Sequence, residues 1–585
     1  MTDHCTAIND HTNLRSLMSR KLLPGISLPR AATRADHLGK YLRMFNVGTK
    51  YTVTHRADSA RFTSYSKVHS HLRRLLFNSI NSIPADMPKP KSFLRETKTK
   101  KKSASKQVPV TADDFLAAGV ELEEAGEKWR AGDAAKSMRF FMRAITNYDE
   151  GLQKHPGTFD LAYNKARVQY EITQHPKLAA QLPAPQREIL QVALQSHRDA
   201  LALEQDNADV LFNSGQVLTS IAELMSNLKH PDEEQQMQAG TYLQEAIELF
   251  QRCLMVQEMK YTERQEDIEL MESGDVPPEP EVVPQAVGQP QAESADEEQE
   301  QWAMIVEPVT KNTLVDTAVA QLETLTTLCN LLTSNPGGGG VGWVQEYSSE
   351  LVQSRLPAYA EGSDRQYEAA LARAKFICAL NDLLYRGGHT DVQTYQQEVE
   401  QVFGPELDVS ADPEGLCGKA DALTSLNQAL SDLPPSEDDE AFENAVALRW
   451  KSLSTALDAL TAATKLPDAD NLPKIHLGRG DAEMHRWRLG RAPWNHAMAK
   501  QNGTMLLRNA QTYYRGATAL ARRDGAAEEE RDGTCKEAIA AAIEGQNTKL
   551  EQLKSTDIQQ VIVVAQDMVE DGMVDGRELS ALVSS

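Results

Sequence analysis

The sequence predicts an all-α fold of stacked helix–turn–helix units. Three observations predict it. The 585-residue chain is alanine-rich, only 6% aromatic and nearly without Val/Ile-rich runs, a composition that favours helices over strands. From residue 111 onward apolar residues recur at alternating spacings of three and four, which lines one face of a helix. One short pattern, a small residue, then an aromatic or His at +4, then a small residue at +7, returns four times.

Charge divides the chain. Residues 1–110 hold 21 Lys/Arg against 6 Asp/Glu, and residues 111–585 hold 40 against 78, so a +15 arm precedes a −38 body. An acidic body repels nucleic acid and attracts basic proteins, although surplus acid also serves solubility. The six cysteines (Cys5, Cys253, Cys329, Cys378, Cys417, Cys535) are scattered, so no CxxC metal or redox pair exists. No apolar run reaches the roughly 18 residues of a membrane span, and the start lacks a secretory h-region.

Residues 1–86 contain 13 Lys/Arg, six His and no Glu, and no helical period persists. They read either as a transit-like segment or as an extension outside the working protein, with Met87 as an alternative start. Residues 87–110 form a basic tail that begins "MPKPKSFLRETKTKKKSASK"; within it Lys98, Lys100, Lys101 and Lys102 are a candidate nuclear signal. That places the chain in the nucleus, the cytoplasm or both.

Residues 111–260 are the first helical region. Thr111 caps a helix whose first turn carries Asp113 and Asp114. A long amphipathic helix follows through Ala134, Met138, Phe141, Ile145, Tyr148 and Leu152, and Pro156-Gly157 stops it. Residues 261–301 hold thirteen acids, one base and five prolines, the composition of a disordered linker. Residues 302–433 are helical again: one helix runs through Leu314, Ala318, Leu322, Leu325, Cys329 and Leu332 to "NPGGGG", and another covers Tyr367–Leu384. "PPSEDDE" at 434–440 is a short acidic linker, and 441–585 is a second repeat-like region with C-terminal helices that run to Ala521 and again from Lys536.

Searched for chemistry, the chain offers none. "GGGGVG" at 337–342 lacks the Lys-Ser/Thr and the preceding strand of a phosphate loop. The fourteen His show no zinc spacing, and no hydrolase elbow or kinase signature appears. His485 and Asp481, four apart, read as a surface ion pair on a helix. The basic–aromatic stretch Lys474–His496 (Lys474, Arg479, Arg486, Arg488, Arg491, Trp487, Trp494) reads as Trp filling a helical groove while Arg neutralises acids, with RNA or phosphate binding as the rival. The expectation is no catalysis, no cofactor, no metal, no small-molecule substrate, no membrane and no direct nucleic-acid contact.

The recurring pattern carries a resemblance. Its four occurrences are Ser137–Phe141–Ala144, Ala193–His197–Ala200, Ala246–Phe250–Cys253 and Ala510–Tyr514–Ala517. These resemble the second helices of tetratricopeptide repeats, helix–turn–helix units of about 34 residues. "FDLAYNKARVQY" and "ADVLFNSGQVL" resemble the partner first helices, with Ala166 and Gly215 at the small position, and Ala462 with Pro467 is a weaker copy. The resemblance covers residues 120–260 and, more loosely, 440–525. It implies a TPR-like α-solenoid, here interrupted by the acidic loop. It also implies a binding groove along the first helices, with Asn164 and Asn213 as candidate groove residues. Family members that clamp acidic chaperone tails need basic residues there. Asn213 stands where such a basic residue is expected and Glu127 where an asparagine is, so this groove is expected to take a basic protein instead. The functional expectation is an adaptor or escort chaperone for a histone- or ribosomal-protein-like client. A scaffold subunit and an RNA-associated factor are the alternatives.

Overall fold

The structure is a computed structural model that describes residues 109–228, 232–273, 308–334, 340–436 and 440–584. All of these lie in the unit His71–Ser585, which alone is described below. The expectations for residues 1–86, for the basic tail to residue 108 with its lysines, for residues 274–301 and for most of "NPGGGG" fall outside the described residues.

Every described element is helical. The first region holds α1 (Ala112–Arg130), α2 (Ala134–Lys154), α3 (Phe159–Gln174), the one-turn α4 (Pro176–Ala179), α5 (Gln186–Leu203), α6 (Ala208–Ser226) and α7 (Glu233–Ser273). Then come α8 (Lys311–Leu332), α9 (Val341–Glu350), a π-helical turn (Leu351–Arg355), α10 (Leu356–Ala360), α11 (Gln366–Arg386) and α12 (Val392–Val402). The last region holds α13 (Pro413–Asp432), α14 (Glu440–Ala463), α15 (Leu472–Arg488), α16 (Ala497–Gln501), α17 (Gly503–Asp524), α18 (Ala527–Ile543), α19 (Thr548–Glu570) and α20 (Gly576–Ser584).

Local sequence sets these boundaries. Thr111 and Asp114 form a reciprocal capping box on α1. Asp133, Asn207, Asp391 and Asp412 cap α2, α6, α12 and α13 through their side chains. Glycines at φ +71° (Gly388) and +75° (Gly525) turn the chain after α11 and α17, in a conformation that other residues adopt only under strain.

Each helix packs on its sequence neighbour, and α1, α3, α6, α8, α11 and α13 also lie side by side in succession, which makes the fold an α-solenoid. The core is divided into successive clusters along the stack. One cluster spans α5 to α11, including Leu243, Leu325 and Phe376, and a second spans α14 to α20, including Leu453, Trp487 and Ile539.

The recurring small–large–small stripe has a structural partner. Three of the four central rings, all but His197, press onto a glycine of the preceding long helix. A Cβ on Gly126 would lie 3.0 Å from the Phe141 ring, on Gly215 2.7 Å from Phe250, and on Gly480 2.3 Å from Tyr514. Tyr148, two turns beyond Phe141, repeats the contact on Gly119. The extra turns of α2 are therefore used in packing. Ala144, Ala193, Ala200, Ala246, Ala510, Ala517 and Cys253 are fully buried beside these rings.

Three expectations are corrected. The segment from residue 261 does not begin as a linker: α7 continues to Ser273, thirteen residues further, as an exposed helix. The reason is its local composition, since Glu, Gln, Met and Arg before the first proline at 277 are good helix formers. His485 and Asp481 are not a surface ion pair. His485 is buried, and burial pushes its pKa down to about 4. Asp481 instead accepts from Lys536 and Tyr514. Finally, α18 starts at Ala527, well before Lys536, because Glu528, Glu529 and Glu530 suit a helix N-terminus.

Candidate functional site: the first-helix face

Three helices of the first region present a polar stripe beside their buried one. On α3 it runs Asp160, Asn164, Arg167, Glu171, and on α6 it runs Asp209, Asn213, Gln216, Ser220, Glu223, both at spacings of three and four. On α1 the matching residues are Glu123, Glu127 and Arg130. None is fully buried except Glu123.

The two asparagines named from the sequence lie on this face, and both are engaged within the fold. Asn164 Nδ2 donates to the Asp160 carbonyl at 2.9 Å, and its Oδ1 accepts from Arg167 at 3.3 Å. Asn213 Nδ2 donates to Tyr163 Oη at 3.1 Å, while Tyr170 Oη and Ser220 Oγ share a bond at 3.1 Å. These bonds tie α3 to α6 across the face.

Arg167 is the hub. Its guanidinium donates to Glu123 and to Glu171, the latter at 3.2 Å, and Arg130 reaches Glu171 at 3.1 Å and Glu127. Two cations therefore serve three carboxylates. The shortfall shows in Glu171: partial burial first, then the Glu127 carboxyl beside it, push its pKa up to about 7 against the pull of both arginines.

The imbalance continues along the stack. Asp160 is pushed up by burial and by Glu204 and Asp113. Glu223 on α6 is raised by partial burial against a bond to Thr327 of α8. Glu323 on α8 is raised by burial and by the field of Glu414, Glu223 and Glu368, with Lys375 as the opposing cation. Lys375 is itself taken by Glu414. The face from α3 to α13 thus carries a row of carboxylates that outnumber the cations within reach. It offers no bound-metal geometry: among the described residues no group of three or more His, Cys, Asp or Glu could hold an ion.

Sequence reasoning found the asparagines through the family resemblance but missed the carboxylate row. The signal was present as a second three-and-four period, polar and offset from the apolar one, most legibly in Asp209, Asn213, Gln216, Ser220 and Glu223. What joins Glu223 to Glu323 and Glu414 is helix stacking, which no local window contains.

No protein-family profile matches the chain. The chain is similar to UPF0656 protein C926.02 of Schizosaccharomyces pombe, 25% identical over 436 residues, covering 72% of this chain and 87% of that protein. A shorter similarity, 29% over 90 residues, covers 15% of the chain and 16% of the uncharacterized protein YNL193W of Saccharomyces cerevisiae. Neither name states an activity. Among solved structures, a circular tandem repeat protein aligns over 81% of this chain and 94% of its own at 14% identity, with a TM-score of 0.25. A superposition at that level carries no argument, and the fold is read from the helices themselves. None of the described helices is long and apolar enough to cross a membrane.

Proposed function

We propose that this chain is a protein-interaction solenoid of tetratricopeptide type whose first-helix face receives a basic segment of a client protein. The carrying observation is the row Glu171, Glu223, Glu323, whose carboxylates are all pushed upward, Glu223 by partial desolvation and Glu171 and Glu323 by partial desolvation together with neighbouring acids. A ligand that brings lysine or arginine to the row relieves that repulsion, so binding and charge compensation are one event. The −38 of residues 111–585 adds long-range steering toward the same class of ligand. A histone tail or a basic ribosomal-protein extension has the required chemistry, and an escort or adaptor role follows from holding it.

The test is titration of an arginine- and lysine-rich peptide into the protein, read by fluorescence anisotropy. Affinity is expected to fall about tenfold or more between low salt and about 0.5 M NaCl. The double variant Glu223→Lys with Glu323→Lys, at exposed positions, is expected to weaken binding by about tenfold without changing thermal stability much. Affinity indifferent to both salt and charge reversal would remove this reading.

Acidity gives an independent check. Glu171 must shed its proton to meet a cation, and its pKa in the free protein stands near 7. Binding is therefore expected to weaken as pH drops from 8 through 7 to 5.5, and Glu171→Gln is expected to flatten that profile. The sign for stability is the opposite. With a folded pKa above the ordinary 4.5, Glu171 favours the fold most below pH 4.5, and that contribution is lost as pH rises through 7.

The scaffold alternative has an observation of its own. Met255, Met259, Leu270 and Met271 are exposed along α7, and methionine suits adaptable apolar contacts. A partner held there would be insensitive to salt, which separates the two readings in one experiment.

A further inference from the structure

In the last region, α13, α14, α15 and the loop 489–496 meet around a side chain that ought not to be there. Arg449 of α14 is 0% exposed. Its Nε donates to Asn427 Oδ1 of α13 at 2.9 Å, but Nη1 and Nη2 make no hydrogen bond, and neither does Asn427 Nδ2. The guanidinium lies under the Trp494 indole, 4.0 Å from the ring centroid, and Trp494 in turn stacks on Phe442 at 5.2 Å. Arg488 sits close enough to oppose the charge. Asp432, the acid that favours it, is already held by Arg386 at 2.7 Å. Burial and Arg488 together bring the Arg449 pKa down to about 9, which still leaves it a cation near neutrality.

The cluster is therefore a donor set without an acceptor. Three buried NH2 groups have no hydrogen-bond acceptor, and the positive charge is met by the face of the Trp494 ring rather than by an anion, an arrangement that is strongly unfavourable for a buried ion. Filling the place with apolar atoms would have been simpler, because most of that face of α14 (Phe442, Ala445, Val446, Leu453, Ala456) is apolar, Ser452 apart. The cover over the guanidinium comes from the exposed stretch 491–495, where Arg491, Ala492, Pro493 and Asn495 face solvent and Trp494 turns inward.

We propose that Arg449 and Asn427 form a binding site for a small oxyanion, entered by displacement of the Trp494 indole. The fork of Nη1 and Nη2 binds two oxygens of the anion, Asn427 Nδ2 donates a third bond, and Arg488 adds attraction from the side. The planar, bidentate donor geometry is one that both a carboxylate and a phosphate satisfy, so the chemistry is that of an oxyanion and the source is set by experiment. This site is independent of the first-helix face, and its failure would leave that reading untouched.

The experiment uses the full chain and three probes at equal ionic strength: sodium phosphate, sodium acetate and sodium chloride. Binding is followed by thermal melting and by tryptophan emission, which reports the indole leaving its place. Phosphate or acetate is expected to raise the melting temperature saturably over chloride and to shift the emission to longer wavelength. Whichever of the two does so identifies the oxyanion class. Arg449→Met is expected to lose the response at least tenfold in affinity. It is also expected to melt no lower than the wild type in chloride, because it removes a buried unpaired charge. Asn427→Leu, which removes the third donor, is expected to lose affinity about threefold or more, and it decides the matter should Arg449→Met fail to fold. Equal melting in all three salts overturns the proposal, as does an oxyanion response that survives Arg449→Met or, if that variant does not fold, Asn427→Leu.

Discussion

Truncating Phe250 to alanine is expected to destabilise the protein by about 4 kcal/mol, within the range for losing a buried aromatic ring. The ring is 1% exposed, lies edge-on to Phe212 at 5.6 Å between centroids, and fills the hollow left by the missing side chain of Gly215. Nothing nearby can follow the ring inward, because α6 and α7 are already in contact there through that glycine. The reciprocal substitution is the sharper test. Gly215→Ala alone puts a methyl 2.7 Å from Phe250 Cζ and is expected to cost about 1–3 kcal/mol by overpacking. In the Phe250→Ala background the same methyl enters vacated space and should cost little or even help. The two substitutions should therefore couple by at least about 1 kcal/mol. Because stacked repeats can melt in parts, the readout should be hydrogen exchange across α6 and α7 beside global denaturation. Strictly additive losses would mean that the glycine and the ring do not act as a unit.

That glycine–ring unit also explains how much of the fold could be read in advance. Phe141, Phe250 and Tyr514 were visible because each sits in a local stripe of small residues on its own helix. Gly126, Gly215 and Gly480 are the other half of each contact. They lie on a different helix, at separations of 15, 35 and 34 residues read from their numbering, so one short connection and two stretched ones blur any fixed period. Helix content was legible because capping residues and apolar periods are local. The end of α7 was not, because acid-rich composition describes a disordered segment and an exposed helix equally well until the first proline.

The site divides the same way. Asn164 and Asn213 could be placed on the first-helix face by resemblance, but their engagement with Arg167 and Tyr163 depends on partners from the same turn and from the neighbouring repeat. Arg449 did leave a trace in the sequence. It occupies an apolar position in the helical run Phe442, Ala445, Val446, Arg449, Leu453, Ala456, and a charge inside such a stripe asks for a partner. The segment 474–496 was singled out for its mixture of Trp and Arg, and the structure assigns its members unlike parts. Trp487 and Trp494 are buried, Arg486 lies over Trp450 at 4.3 Å and pairs with Glu483, and Arg491 lies over Trp487 at 4.8 Å. Groove filling and charge neutralisation both occur there, and neither accounts for Arg449.

Replacing Asp481 by alanine is expected to cost about 2–4 kcal/mol, the consequence of taking its bonded acid from a buried ammonium. Asp481 on α15 accepts from Lys536 Nζ of α18 at 2.8 and 3.0 Å and from Tyr514 Oη of α17 at 2.7 Å. It thereby pins three helices at one carboxylate. Lys536 is 8% exposed and Tyr514 is 0% exposed, whereas a quarter of the Asp481 side chain is exposed, so water can replace the acceptor only in part. Removing the acceptor strands an ammonium and a phenol together. Two companions separate that cause from lost packing. Asp481→Asn keeps the shape and one acceptor oxygen and should cost less than the alanine. Asp481→Leu with Lys536→Met removes both charges, and although the phenol still loses its acceptor, the pair should recover most of the loss, because two apolar side chains of similar size satisfy one another. The pH dependence follows from Lys536: burial pushes its pKa down, but the combined pull of Asp481, Asp571 and Asp532 leaves it above its ordinary value. Its contribution is complete below pH 10.5 and is lost as pH rises through the higher folded value. The wild type should therefore lose stability steeply in strong alkali while the Leu/Met pair does not. Urea denaturation of the three variants at neutral and at alkaline pH measures all of this. An Asp481→Ala variant within about 1 kcal/mol of wild type would show that the bond to Lys536 is incidental to the fold.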